Sequence, residues 1–517
     1  MFFLICVLAA AVRLANPGIR PLHTDESVNA WKTGMLLDSG YYQYDPAEYH
    51  GPVLYYATVL AAKIRGQDSY QSLDEQTLRM VPALLGLGLI LLLLLVTELG
   101  WQVMLATALL LAVSPALVFY SRYFIHETLL VFFSYGAAIS VFRYIKDKKA
   151  LWLVPAGIFA GLMHATKETC VISYLVLVLA LVTLLAADFK HPGGARATLR
   201  SFQWQHLLVF LASGVVVSVL FFSSFLTHPE GIIDSIAAYK GYFSRAGFDD
   251  AHIHPWYYYI RIMLLPDDTY RHAWSEVWLL IPACYGLIKA FTGGQRDFKK
   301  DLVLFSGCYS LMFFILISLI PYKTPWNMLQ VYPGIILSAA FGIVEFTRIR
   351  TAPRLKISIP VLILAAFIHW TWMSWQMNFI YHTDPANPWV YAHTGPDVFK
   401  LKDKVDRVAA INPDKQDMSI DVIFPENDYW PLPWYLRQYT NTGYWDLVDT
   451  TQAPSTLIIT TPALEKDLVR KLYELPPPGQ RYLYVQLSDS VMELRPGVEM
   501  QAWLRKDIWD MYREVPE

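Results

Sequence analysis

Five short clusters gather acids, histidines, lysines and an arginine at the edges of long apolar runs. They are His23-Thr24-Asp25-Glu26, Tyr49-His50-Gly51-Pro52, Arg122-Tyr123-Phe124-Ile125-His126-Glu127, Thr166-Lys167-Glu168 and Tyr322-Lys323-Thr324-Pro325-Trp326. The adjacent carboxylates Asp25 and Glu26 could act as a general base that takes a proton from a hydroxyl. The same Thr24-Asp25-Glu26 triplet is also well suited to cap a helix and meet its dipole. Glu127, behind Arg122 and His126, could bind a metal ion or sugar hydroxyls, or as the first acid of a helix it could simply answer the dipole. Lys167 and Lys323 could contact a phosphate. Against that stand an ion pair between the neighbours Lys167 and Glu168, and an interfacial aromatic belt that accounts for Tyr322 and Trp326.

The elements that must position these clusters are membrane helices. The chain has 517 residues, 55% of them hydrophobic and only 17% charged, where a soluble protein would carry about a quarter charged residues. Apolar runs lie near residues 2–14, 52–64, 80–97, 101–119, 126–143, 151–165, 169–187, 206–226, 275–291, 302–320, 328–346 and 357–378. The first begins at Phe2 without a basic flank or a clear cleavage site and is read as a retained helix. The four cysteines, Cys6, Cys170, Cys284 and Cys308, lie in or beside apolar runs and form no disulfide or metal-thiolate spacing.

Basic loops stay cytoplasmic as a rule. The connectors Arg143–Lys149, Lys190–Arg200, Lys289–Lys300 and Arg348–Lys356 are each separated from the next by two apolar runs, so all four fall on one side. Counting back from Arg143 puts His126-Glu127 outside, the Glu98-Leu99-Gly100 turn inside and residues 63–79 outside. The run from Pro52 to Ile64 would be about 20 Å long as a helix, short of the roughly 30 Å hydrocarbon core. It is therefore read as a juxtamembrane or re-entrant helix within one external loop, 15–79. This gives about eleven transmembrane helices with the N-terminus inside and every cluster outside. The alternative is twelve spans with Asp25 inside.

Beyond Met377 the chain turns polar and rich in Pro and Asp. Short β-like runs at Ser419–Phe424, Ser455–Thr461 and Tyr482–Leu487 surround an amphipathic helix pattern from Ala463 to Leu475, which predicts a small α/β domain. Two domains are expected, a transmembrane catalytic domain over 1–379 and an extracytoplasmic α/β domain over 380–517. His252-Ile253-His254 could offer two imidazoles to zinc, but no third ligand spacing supports that, and solvated loop histidines are the plainer reading. No Walker motif or dinucleotide fingerprint is present. The energy for a reaction must then come from an activated substrate or a gradient, and no nucleic-acid partner is expected.

Taken together, the clusters resemble those of the GT-C superfamily of lipid-phosphate-sugar glycosyltransferases. Its relevant members are the protein O-mannosyltransferases, the aminoarabinose transferases and a bacterial and archaeal subgroup associated with flippase-linked glycosylation. The resemblance rests on an acidic pair after the first helix, Asp25-Glu26, and on a juxtamembrane helix opened by His50-Gly51-Pro52 before aromatic residues. It rests further on Ser121-Arg122 with Glu127, and on a late Lys323-Thr324-Pro325 before a helix. It covers roughly residues 1–350. Aminoarabinose transferases commonly have Lys-Pro-Pro where this chain has His50-Gly51-Pro52, and the Trp430–Arg437 run fits the flippase-associated subgroup better.

The resemblance implies an integral protein of the cytoplasmic membrane with its active site and C-terminal domain on the extracytoplasmic side. It implies transfer of a sugar, with inversion, from a polyprenyl phosphate to a hydroxyl of a lipid, glycan or protein acceptor. Asp25 is then the expected base, Glu26 its support and Glu127 a second catalytic acid. His50, Arg122, His126, Lys167, Glu168, Lys323 and Trp326 are expected to bind substrate. A divalent metal ion is possible, with Asp25, His126 and Glu127 as candidate ligands. The rival readings are a transporter or flippase component, and a non-catalytic glycosylation-associated scaffold.

Overall fold

Apolar runs of the sequence become helices in the computed structural model, which describes residues 1–47, 50–188, 203–245, 252–264, 274–292, 296–348, 353–477, 479, 481–488 and 490–514. Tyr49, His272 and the basic connector Lys190–Arg200 lie outside the described residues, as do parts of the connectors 289–300 and 348–356. The chain forms two compact units. The first comprises Met1–Pro17, Met35–Gly66 and Gln76–Tyr391, and the second Gly18–Gly34, Gln67–Glu75 and Ala392–Glu517.

The helices run α1 (Phe2–Leu14), α2 (Thr24–Ser39), α3 (Val53–Ile64), α4 (Glu75–Leu91), α5 (Trp101–Val113), α6 (Pro115–Ser121), α7 (Glu127–Asp147), α8 (Leu153–His164) and α9 (Cys170–Asp188). They continue as α10 (Trp204–Phe222), α11 (Gly231–Arg245), α12 (Tyr258–Leu264), α13 (Val277–Thr292), α14 (Phe298–Leu319), α15 (Tyr332–Thr347) and α16 (Pro353–Trp375). Among the described residues, six apolar stretches, Phe2–Ile19, Glu75–Leu95, Glu127–Asp147, Trp204–Phe222, Phe298–Leu319 and Ile357–Ile380, are long enough to cross a bilayer. The protein is an integral membrane protein. Four further expected spans are shorter apolar helices, Ala150–His164, Cys170–Ala186, Val277–Thr292 and Tyr332–Thr347; α3, expected to be juxtamembrane, is shorter still.

The run expected to be one helix over 101–119 is instead broken at Ser114-Pro115 into α5 and α6, bent by 57°. Proline lacks the N–H that would continue the ladder, and its ring collides with the carbonyl four residues back. The carbonyls left open at the end of α5 would be costly in an apolar surrounding. The buried Arg13 of α1 meets them, donating to Leu111 O and Ala112 O at 2.9 Å each. Arg122, just past α6, returns the arrangement at the end of α1. It donates to Val12 O at 2.9 Å, Ala15 O at 2.6 Å and Asn16 O at 3.2 Å. Each arginine thus closes the helix end that the other's neighbourhood leaves open.

In the second unit, α17 (Asp397–Ile411) buries Val398, Leu401, Val405 and Val408. The strands are β1 (Ile420–Ile423), β2 (Thr442–Trp445), β3 (Leu457–Thr460), β4 (Tyr484–Gln486), β5 (Met492–Arg495) and β6 (Val498–Arg505). Their order is β2-β1-β3-β6-β4, with β5 also on β6. β1 runs parallel to β2 and β3, and β6 pairs antiparallel with β3, Leu457 facing Leu504. Every residue of β1 and β3 is buried, which fits their mostly apolar sequences, and the buried Asp421 of β1 accepts from Trp445 Nε1 at 3.1 Å. The runs expected at Ser419–Phe424, Ser455–Thr461 and Tyr482–Leu487 are β1, β3 and β4, and the amphipathic pattern is helical from Glu465 to Glu474. β2, β5, β6, α17 and the final helix α18 (Lys506–Glu514) were not anticipated.

Candidate active site

The His50-Gly51-Pro52 turn crosses the loop between α8 and α9 and is tied to it by backbone bonds. Gly51 N donates to Thr166 O and Val53 N to Ala165 O, both at 3.1 Å. The crossing is so close that a Cβ on Gly51 would lie 2.2 Å from Ala165 O, which is why glycine stands there. This crossing brings three of the sequence clusters together.

Lys167 and Glu168 do not pair with each other. Lys167 Nζ donates to Glu127 Oε1, with side chains only 11% and 8% exposed. Glu168 Oε2 lies 2.7 Å from His50 Nδ1, and its Oε1 accepts from the Tyr44 hydroxyl at 3.2 Å. His126, at the start of α7, donates from Nε2 to Gly51 O at 3.1 Å. Its ring packs edge-on against His50 at 5.3 Å and Tyr55 at 5.5 Å. Burial pushes the Glu168 carboxyl up, but the His50 charge and hydrogen bond, with Lys167 behind them, bring it down to about 2. Burial would lower the Lys167 ammonium, yet the Glu127 charge wins and holds it raised. Burial, then the charges of His50 and Lys167, drive the His126 imidazole well below its usual range.

Lys323 forms a second centre in the same unit. Its backbone N–H donates to His252 O at 2.9 Å, and its Nζ donates to His254 O at 3.0 Å and to Ile320 O. It is buried, and burial lowers its pKa. Ile253 bridges to Tyr322, and Tyr322 acts electrostatically on Lys167. Trp326 packs edge-on against Tyr391 at 5.8 Å. The two histidines are not free solvated side chains: His252 Nδ1 lies 2.6 Å and His254 Nε2 3.4 Å from the Tyr391 hydroxyl. Tyr391 and Tyr44 escaped the sequence reading because nothing local marks a lone tyrosine in an aromatic-rich chain.

The acidic pair belongs to the second unit and is split by its surroundings. His23 caps α2 in place of the usual Ser or Thr: its Nδ1 accepts from Asp25 N at 3.0 Å. Glu26 reaches back, its Oε2 accepting from His23 N at 3.0 Å, which completes a capping box. Glu26 is fully buried, whereas the Asp25 side chain is 49% exposed. The cap therefore uses Glu26 and leaves the Asp25 carboxylate open to solvent.

Arg122 stands apart from these groups: its guanidinium serves the end of α1 and lies 4.5 Å over the Phe379 ring. Among the described residues, no three His, Cys, Asp or Glu side chains gather into a metal site. Glu127 Oε1 is engaged by Lys167 and His126 Nε2 by a carbonyl. That donor set does not fit an ion as it stands.

A cavity of about 600 Å³ opens among α7, α8, α9, α10 and α11. Ala137, Phe142, Leu177, Leu181, Phe210 and Val215 are typical of its apolar lining, and His164, Tyr174 and Ser218 are among its polar positions. His164 Nδ1 lies 2.6 Å from Ser218 Oγ, and the Glu168 charge acts on His164. Glu168, the partner of His50, therefore lies within electrostatic reach of an apolar chamber among the helices.

Residues 49–222 match the dolichyl-phosphate-mannose-protein mannosyltransferase family. No curated protein sequence matches the chain. Among solved structures, ArnT from Cupriavidus metallidurans bound to undecaprenyl phosphate superposes with a TM-score of 0.65 at 14% identity, over 97% of each chain. The apo state of ArnT from the same organism gives 0.63 at 13% identity, again over 97% of each chain. The fold is thus shared over nearly the whole length of the chain.

Proposed function

We propose that this protein is a GT-C glycosyltransferase that moves a sugar from a polyprenyl phosphate to an acceptor hydroxyl at the extracytoplasmic face of the cytoplasmic membrane. The observation that carries the reading is the apolar cavity whose His164 feels the charge of Glu168, itself paired with His50 and next to the Glu127–Lys167 pair. A long isoprenoid tail with a phosphate head is the ligand class that needs both features. The undecaprenyl phosphate bound in the ArnT structure supports the same donor class here. A transporter is less well supported, because the ionisable clusters stand at helix ends and loop crossings, where a carrier would place them on broken helices at mid-membrane.

In the proposed step the acceptor oxygen attacks the anomeric carbon, and the bond from that carbon to the phosphate oxygen breaks with inversion. Asp25 takes the hydroxyl proton. The polyprenyl phosphate leaves with the electron pair, and Lys323 and Lys167 stabilise the charge that develops on it. Glu127 and Glu168 hold Lys167 and His50 in place, while His50, His126 and Trp326 line the approach of the sugar. Lipid, glycan and protein hydroxyls are all chemically competent acceptors.

The test is turnover by the purified protein in nanodiscs, supplied with a panel of radiolabelled polyprenyl-phosphate sugars and hydroxyl acceptors. Label transferred with inversion from one donor, and lost in Asp25→Asn, is the expected result. Energy-dependent movement of a lipid-linked sugar across the bilayer without transfer would overturn the reading.

A further inference from the structure

The Trp430–Arg437 run is not explained by any chemistry of its own, yet it meets the acidic helix at Ser27 and Trp31, the backbone just before it at Leu22, and Gly34 through Tyr70. Just before α2, Leu22 N donates to the Tyr435 hydroxyl at 2.8 Å, and Leu22 O accepts from Thr394 Oγ1 at 2.7 Å. One turn on, Ser27 Oγ lies 3.5 Å from Pro431 O. Trp31 packs edge-on against Trp430 at 6.5 Å. At Gly34 a Cβ would lie 2.4 Å from Tyr70 Cδ2, and Tyr70 packs edge-on against Trp434 at 6.0 Å.

The run is anchored in turn from behind. Trp434 Nε1 donates to Glu75 Oε1 at 2.8 Å, Arg437 Nη2 donates to Leu73 O at 2.7 Å, and the Arg437 guanidinium lies 3.7 Å over the Trp434 ring. All of these residues belong to the second unit.

Ser27, Trp31 and Gly34 follow helical spacing. At about 100° per residue they fall within roughly 60° of one another on the α2 surface, and Asp25 falls about 160° from Ser27. The face of α2 laid against the run is thus opposite the face that carries the half-exposed carboxylate. We infer that Trp430–Arg437, together with Thr394, is a clamp that fixes the rotation of α2 and so aims Asp25 at the acceptor hydroxyl. Tyr435 and Thr394 are positioning residues, acting through the two backbone groups of Leu22. The inference rests on the reading of Asp25 as the base.

Tyr435→Phe removes one hydroxyl and Thr394→Val another, so two mild variants test the same clamp. In each, turnover with the active polyprenyl-phosphate sugar is compared in wild-type and Asp25→Asn backgrounds, and amide exchange is followed across residues 22–34. The expected result is faster exchange there and a roughly ten- to hundredfold fall in kcat at unchanged donor KM, the scale that a small misplacement costs. No further loss is expected in the Asp25→Asn background, since both changes act through one group.

The same proportional loss in both backgrounds would mark a merely structural role and overturn the clamp. Unchanged exchange or unchanged kcat in both variants would also overturn it. Full turnover by Asp25→Asn would remove the base itself and the aiming with it. That outcome appears in the single Asp25 variant, so it is distinct from a failure of the clamp alone.

Discussion

His50 Nδ1 lies 2.7 Å from Glu168 Oε2, joining the turn before α3 to the loop before α9. The Glu168 carboxyl, buried but held by His50 and Lys167, sits at about 2 against an ordinary value of 4.5. A depressed carboxylate contributes stability that is complete above the unfolded value and is lost as pH falls through the folded one. Glu168→Gln should therefore melt below wild type at neutral pH, and the gap should close as pH falls from 4.5 towards about 2. Thermal unfolding in detergent over a pH series checks this. A gap that widens on acidification would show that the pair does not stabilise the fold.

Lys167 and Glu127 are each almost wholly buried. Lys167→Met leaves the Glu127 charge without its partner, a change that costs about 3–5 kcal/mol for a buried pair. Adding Glu127→Gln removes the stranded charge, so the double variant should regain much of the lost melting temperature. If the double variant is as unstable as the sum of the two single changes, the pair is not coupled.

For the acidic pair the two neighbours should behave differently. His23 and Glu26 supply the cap of α2, so Asp25→Asn should insert and melt like wild type while transfer falls by about 10²–10⁴. Glu26→Gln keeps an oxygen that can accept from His23 N and should reduce turnover only mildly. Wild-type turnover by Asp25→Asn would remove Asp25 from the chemistry.

Sidedness is open to direct labelling. With the four native cysteines replaced, a cysteine at the exposed Gln416 should react with a membrane-impermeant maleimide in intact cells. A cysteine at the exposed Lys149, in a basic connector, should react only after lysis. The reverse pattern would place the second unit in the cytoplasm and end the extracytoplasmic reading.

The sequence by itself marked the membrane helices and the strands β1, β3 and β4, because apolar length and short runs of strand-forming residues are local signals. It also marked Asp25, Glu127, Lys167 and Lys323 as candidates, since ionisable residues at the edges of apolar runs are costly unless used or paired. It did not anticipate β6, whose pairing with β3 joins Leu457 to Leu504 across a long stretch of chain. Nor could spacing reveal that Lys167 and Glu168, adjacent in the chain, pair with Glu127 and His50, or that His23 would cap the acidic helix. Arg122, expected to bind substrate, carries no local mark of the helix end that it serves. Only the tertiary structure shows its guanidinium on the carbonyls that end α1. The reason is physical: a helix end and an ion pair each need a partner, and which residue supplies it depends on what the fold brings within about 3 Å.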